Sequence, residues 1–184
     1  MEWGVHLPQL GRTANREALV RFARRAEAPG CHSGWVSDHI AWPEAIASKY
    51  PYTEDGTFAP PPDMRWLDAF GTLFFVAACT ERLRLGTTVL VLGYRPPVLT
   101  AKAVASLDLL SGGRAILGVG VGWMKEEFDV VGMPFDHRGA RPMSSSSCST
   151  PCSPTPTRAM KVATTGSPGS ALSPSQCSAG FPSG

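Results

Sequence analysis

Asp38-His39 and the run Gly118-Val-Gly-Val-Gly-Trp123 are the stretches of this sequence whose residue types and spacing could do chemistry. Histidine titrates near neutrality, so an imidazole beside a carboxylate suits proton transfer or hydrogen bonding to the polar edge of a ring. The alternative for the same pair is that Asp38 caps the next turn and His39 packs. Glycine at every second position leaves one face of a strand without Cβ atoms, so a ligand or another backbone can approach it closely. Spacing alone leaves a ligand site and tight strand–helix packing equally open. The run is not the dinucleotide fingerprint, which would need glycine where Trp123 stands. Thr87-Thr88 supplies two more hydroxyls within a Val- and Leu-rich strand. His6 reads as a satisfied core histidine, His32 and His137 as loop residues, and Glu126 and Glu127 as acids that favour a helix dipole.

The elements that must position these residues alternate along the chain. A first strand is expected over Gly4–Leu10. A helix follows, capped by Asn15 with the apolar stripe Leu19, Phe22, Ala23 and Ala26, and Pro29-Gly30 ends it. Ser33–Ser37 is the second strand. A helix begun by Asp63 or Asp68 carries Leu67, Phe70, Phe74 and Ala77. Leu83–Leu92 is the third strand, and Pro96-Pro97 opens a helix with the stripe Ala101, Val104, Leu107 and Leu110, stopped by Gly112-Gly113. A fourth strand runs into Gly118–Gly122, and a fourth helix is expected from near Trp123. Four consecutive strand–helix units force a parallel sheet covered by helices, an α/β fold that is either a doubly wound sheet or the first half of an eightfold barrel. In both, ligands bind at the C-terminal strand ends. Asp38-His39, Thr87-Thr88 and Gly120–Trp123 converge there with Trp42–Asp63, a long loop holding five prolines and Trp42, Tyr50, Tyr52 and Phe58.

Composition sets outer limits. The chain has 184 residues, 43% hydrophobic, with a net charge of +2 that singles out no partner. The expectation is a small-molecule substrate, without nucleic acid or membrane. All fifteen acidic residues lie at or before Asp136. The segment 142–184 has twelve serines, seven prolines and no acid, and is expected to stay disordered because it cannot bury enough apolar surface. Cys148, Cys152 and Cys177 fit no standard zinc spacing and that segment has no histidine, so no metal is expected. An odd total of five cysteines and an N-terminus unlike a signal peptide point to a cytoplasmic address.

Several motifs occur in a fixed order: Trp35-Val-Ser-Asp-His39, Glu81-Arg-Leu-Arg-Leu-Gly-Thr-Thr-Val-Leu-Val-Leu92, Tyr94-Arg-Pro-Pro97, and Leu109-Leu-Ser-Gly-Gly-Arg-Ala-Ile-Leu-Gly-Val-Gly-Val-Gly-Trp123. Glu126-Glu-Phe128 and Pro134-Phe-Asp-His-Arg-Gly-Ala-Arg141 complete the set. Together, over about residues 2–141, they resemble the luciferase-like monooxygenase superfamily, most closely its branch of probable coenzyme F420-dependent oxidoreductases. The resemblance implies the N-terminal half of a TIM-type (β/α)8 barrel, about four β/α units in residues 1–141, followed by the tail 142–184. It implies a deazaflavin (coenzyme F420) ring, or alternatively FMN, lying across the C-terminal strand ends. His39 would then be catalytic, facing ring or substrate. Asp38, Thr87, Thr88, Val89, Gly120, Gly122 and Trp123 would contact the cofactor, with a bulge, often holding a cis peptide, over Thr87–Leu90. The implied activity is redox by hydride transfer or oxygen activation on a small organic substrate. A non-catalytic cofactor-binding remnant and an inactive truncated product are the alternatives, because the likeness stops at Arg141, beyond which the sequence reads like a shifted frame of a GC-rich gene. Half a barrel would leave free edges on strands one and four, which could pair two copies as a homodimer.

Overall fold

The computed structural model describes residues 2–43, 45–58, 60–61, 64–139 and 162–164, the last three by their backbone alone. Strands β1 (Gly4–His6), β2 (Ser33–Val36), β3 (Arg84–Thr87), β4 (Leu90–Val91) and β5 (Ala115–Gly120) alternate with helices α1 (Arg16–Glu27), α2 (Ala69–Ala77), α3 (Pro97–Ser111) and α4 (Lys125–Val130). Every pairing is parallel: β1 on β2, β2 on β3, and β3 and β4 both on β5. The expected third strand is therefore one strand interrupted by a bulge. From Gly86 to Val91 it advances five residues while its partner advances four, Ile116 to Gly120. The peptide between Thr88 and Val89, inside that bulge, is cis.

Local chemistry explains the helices. Asn15 accepts the Ala18 amide at 2.8 Å and starts α1, and Asp68 accepts the Gly71 amide at 2.7 Å and starts α2. Asp63, the other candidate start, lies outside the described residues. Pro97 occupies the first turn of α3, and Gly112, at φ 71°, ends it in the left-handed conformation. The core lies between sheet and helices. Val36, Leu85 and Ala115 from the strands, with Leu7 and Leu83 at their ends, meet Leu19, Ala23, Leu73, Val76 and Leu107 from α1, α2 and α3.

Three expectations about helices need correction. Phe22 is 39% exposed, beside Trp3 on the outside of α1. α3 turns Thr100, Val104, Leu107 and Ser111 inward. Neighbouring helix positions are about 100° apart, so Leu110 faces outward and is 72% exposed. The fourth helix starts at Lys125, which leaves Trp123 ahead of it in an irregular turn.

The outer edge of β1 has no partner among the described residues. The edge of β5, expected to stand free, is taken: β6 (Val162–Thr164) lies parallel to it with Leu117 opposite Val162. These three residues depart from the disorder expected of 142–184. Val and Thr suit a strand, and the backbone groups on that side of β5 offer a ladder. The rest of that segment, including Cys148, Cys152 and Cys177, lies outside the described residues. No helix among the described residues is long and apolar enough to cross a membrane.

Candidate functional site

The C-terminal strand ends gather two buried carboxylates, one histidine and a cluster of aromatic rings. His39 leaves β2 and points its Nδ1 at Glu127 Oε2, 2.7 Å away. Glu127 is fully buried at the start of α4. Its Oε2 also accepts the Tyr94 hydroxyl at 2.7 Å, and its Oε1 accepts the backbone amides of Ile40 at 2.5 Å and Ala41 at 3.2 Å. Burial by itself would raise the pKa of this carboxyl group. The hydrogen bond from His39 and the charge His39 carries when protonated, followed by the Tyr94 hydroxyl and the Ile40 amide, outweigh burial and hold it below the ordinary carboxylate range. Tyr94 moves the other way: burial, then the facing Glu127 carboxylate, keep its phenol protonated far above the usual range. It stays a donor.

Around the imidazole stand Trp66, Trp42 and Trp123, with ring centroids 4.6, 5.2 and 6.5 Å from it. Trp42 stacks on Trp66 at 5.5 Å, and Phe58 and Tyr50 from the same long loop reach Trp123 at 5.7 and 5.0 Å. The Pro-rich loop therefore folds back over the strand ends. Glu126 fastens it there, since its Oε1 accepts the amides of Ala47 at 2.7 Å and Ser48 at 2.9 Å. Burial opposes ionisation of Glu126, but these contacts and the Ser48 hydroxyl prevail and its pKa falls below the ordinary value. The two acids expected to serve the helix dipole do lie in the first turn of α4, and they also hold the segments 40–41 and 47–48.

Asp38 has a different duty from the one expected. Its Oδ2 accepts Arg95 Nη1 at 2.6 Å and the Val91 amide at 3.0 Å, while Oδ1 accepts Arg95 Nη2 at 2.8 Å. Both oxygens are committed to the chain itself. Arg95 also reaches Asp68 Oδ2 at 3.0 Å, so one guanidinium ties β2, β4 and the start of α2. Desolvation would lower the Arg95 pKa, and the two carboxylates more than restore it. Thr87 is buried, donating to the Gly118 carbonyl at 2.7 Å and accepting the Gly118 amide at 3.1 Å, which stitches β3 to β5. Thr88 is exposed at the bulge, where its carbonyl accepts the Ser37 hydroxyl at 3.3 Å.

The glycines resolve toward packing. A Cβ on Gly120 would strike Val89 Cγ2, and one on Gly122 would come within 2.8 Å of both Phe128 and Val91. Gly122 also has φ 77°, which places it in a turn beyond β5 rather than on the strand face shared by Gly118 and Gly120. His6 departs from the core reading: it is exposed, and its Nε2 lies 3.0 Å from the Ser37 hydroxyl. Among the described residues no cluster of His, Cys, Asp or Glu could hold a metal ion.

Glu127, Tyr94, Arg95 and Trp66 are the site residues that the sequence reading missed. Helical phase carries the signal for Glu127. Met124, Phe128 and Val131 define the apolar arc of α4, and Glu127 falls inside it whereas Glu126 falls outside. A carboxylate on the core side of a helix needs partners.

An uncharacterized protein of Mycobacterium tuberculosis is 40% identical over 122 residues, which are 66% of this chain and 42% of that protein. An F420-dependent glucose-6-phosphate dehydrogenase of Amycolatopsis mediterranei is 40% identical over 115 residues, 62% of this chain and 30% of that enzyme. Among solved structures, the coenzyme F420-dependent tetrahydromethanopterin reductase of Methanopyrus kandleri matches with a TM-score of 0.50 at 27% identity, over 73% of this chain and 30% of that one. The chain thus spans less than half the length of these relatives. The parallel α/β architecture agrees with these likenesses, and the model of the luciferase-like monooxygenase family matches residues 3–143, so this chain belongs to that family.

Proposed function

We propose that residues 2–139 supply the histidine-bearing part of a deazaflavin-dependent oxidoreductase site acting on a small organic substrate. One observation carries the reading: His39, held by the buried Glu127, stands at the C-terminal strand ends among three tryptophan rings. The residues fit a flat heteroaromatic ring. The aromatic rings offer apolar faces, and the Trp66 indole N–H is buried without a partner among the described residues, a donor that the polar edge of a ring or substrate can satisfy. The names of two relatives, an F420-dependent dehydrogenase and an F420-dependent reductase, favour deazaflavin over FMN.

When bound, a deazaflavin supplies a two-electron hydride acceptor or donor. The chain supplies proton handling and geometry. As a substrate carbinol loses its C–H hydride, its O–H bond breaks, the proton passes to His39 Nε2, and a C=O bond forms. In the opposite direction His39 returns that proton. The aromatic loop, fastened by Glu126, excludes water from the exchange.

Titration of the purified chain with F420 and with FMN, each oxidised and reduced, followed by ring fluorescence or calorimetry, tests the proposal. Saturable binding of F420, tighter than FMN and weakened by Trp66→Ala, is the expected result. Failure of both cofactors to bind sinks the reading. Binding without turnover of any carbinol or carbonyl substrate would leave the non-catalytic remnant as the function.

A further inference from the structure

We infer that Glu127 fixes the tautomer of His39, so that the neutral imidazole carries its proton on Nδ1 and presents a bare Nε2. Glu127 is a positioning residue in this account, and Tyr94 supports it. The inference rests on the proposed role of His39 as the proton acceptor.

The four contacts of Glu127 make a closed donor–acceptor set. Ile40 N and Ala41 N can only donate, and they take Oε1. Oε2 faces the Tyr94 hydroxyl and His39 Nδ1, both at 2.7 Å. An ionised carboxylate has no proton to give, so each of these neighbours must donate to it. The hydroxyl does so, and Nδ1 can do so only as N–H. Two backbone amides on Oε1 and the Tyr94 hydroxyl on Oε2 favour the ionised carboxylate whatever the charge of His39, and the phenol stays protonated. Among the described residues Nε2 has no hydrogen-bond partner, which leaves its lone pair for a ligand.

The same set makes a sharp prediction for Glu127→Gln. An amide has one acceptor oxygen and one NH2 group. The backbone amides of residues 40 and 41 cannot become acceptors, so the amide oxygen is driven to their side. The NH2 group then faces Tyr94 and His39. The phenol can rotate to accept, and the imidazole can accept on Nδ1 only by moving its proton to Nε2. The substitution should therefore invert the tautomer and leave Nε2 protonated, unable to take a proton from a substrate. Its side chain is isosteric, so the fold should persist.

Ring nitrogen shifts of His39, read by two-dimensional NMR on the cofactor-free full chain at pH 9, test the inference. Wild type should show the Nδ1–H tautomer, Glu127→Gln the Nε2–H tautomer, and Tyr94→Phe, which keeps the carboxylate intact, the Nδ1–H form. Nε2 protonated in wild type at pH 9, as the other tautomer or as imidazolium, would overturn the inference without any variant being needed. An unchanged tautomer in folded Glu127→Gln, or a switched one in Tyr94→Phe, would overturn it as well. These readings need no cofactor. A failed F420 titration would sink the proposed function and leave the tautomer result standing, whereas a wrong tautomer would leave cofactor binding untouched.

Discussion

Replacing Gly120 with alanine tests whether that position is packed against Val89. Gly120 has a strand backbone with φ outside the left-handed region, so alanine brings no conformational strain. Its new Cβ would press on Val89 Cγ2 and stand 3.3 Å from Val89 Cβ. Val89 is β-branched with a single stiff side-chain torsion, so relief requires an off-rotamer side chain or a backbone shift at the bulge. Overpacking of this kind costs about 1–3 kcal/mol. The stiffer unfolded chain returns about 0.4–1 kcal/mol, which leaves a net loss of about 0–2.6 kcal/mol. Val89→Ala alone removes methyl groups from a half-buried position, at about 1 kcal/mol. In the double variant no γ-carbon remains to collide, so its stability should stay near that of Val89→Ala. The double-mutant cycle should then show a favourable coupling of about 1–3 kcal/mol, the collision itself, read from urea unfolding followed by tryptophan fluorescence. Costs that simply add would mean that the new Cβ does not press on Val89, and the packing account would be wrong.

Arg95→Ala should cost about 3–5 kcal/mol in the same assay because it strands a buried Asp38 carboxylate. Arg95→Lys should recover only part of that, since one ammonium cannot make the two-pronged contact and also reach Asp68. Glu27 accepts the amides of Glu81, Arg82 and Leu83, and although burial pushes the other way, these bonds lower its pKa. Its folded value lies below the unfolded one, about 4.3, so its contribution is present above that pH and is lost as pH falls through the folded value. Glu27→Gln should flatten the acid limb of a stability–pH curve, and an unchanged limb would refute the assignment. Tyr94 behaves oppositely: its raised pKa gives a contribution that is full below the unfolded value of about 10 and declines as pH rises beyond it. Tyr94→Phe should abolish that alkaline loss in a melting series from pH 8 to 11.

Four strand–helix units, the caps at Asn15 and Asp68, the proline start and glycine stop of α3, and the placement of His39 at a strand end were all legible in the sequence. Each depends on near neighbours along the chain: hydrophobic period, a capping side chain within three residues, a proline without an amide proton. The site's wiring was not legible. His39 and Glu127 are 88 positions apart, and Asp38 and Arg95 are 57 apart. Such contacts follow from the parallel register that brings β2, β4 and α4 to one end of the sheet, not from local preference. Tertiary structure likewise showed which atoms stand beside Gly120 and Gly122, because a missing Cβ looks the same in sequence whether a ligand or a neighbouring Val89 or Phe128 fills the space. It also turned Leu110 out, since helical phase fixes which residues share a face but only packing fixes how much of that face is buried.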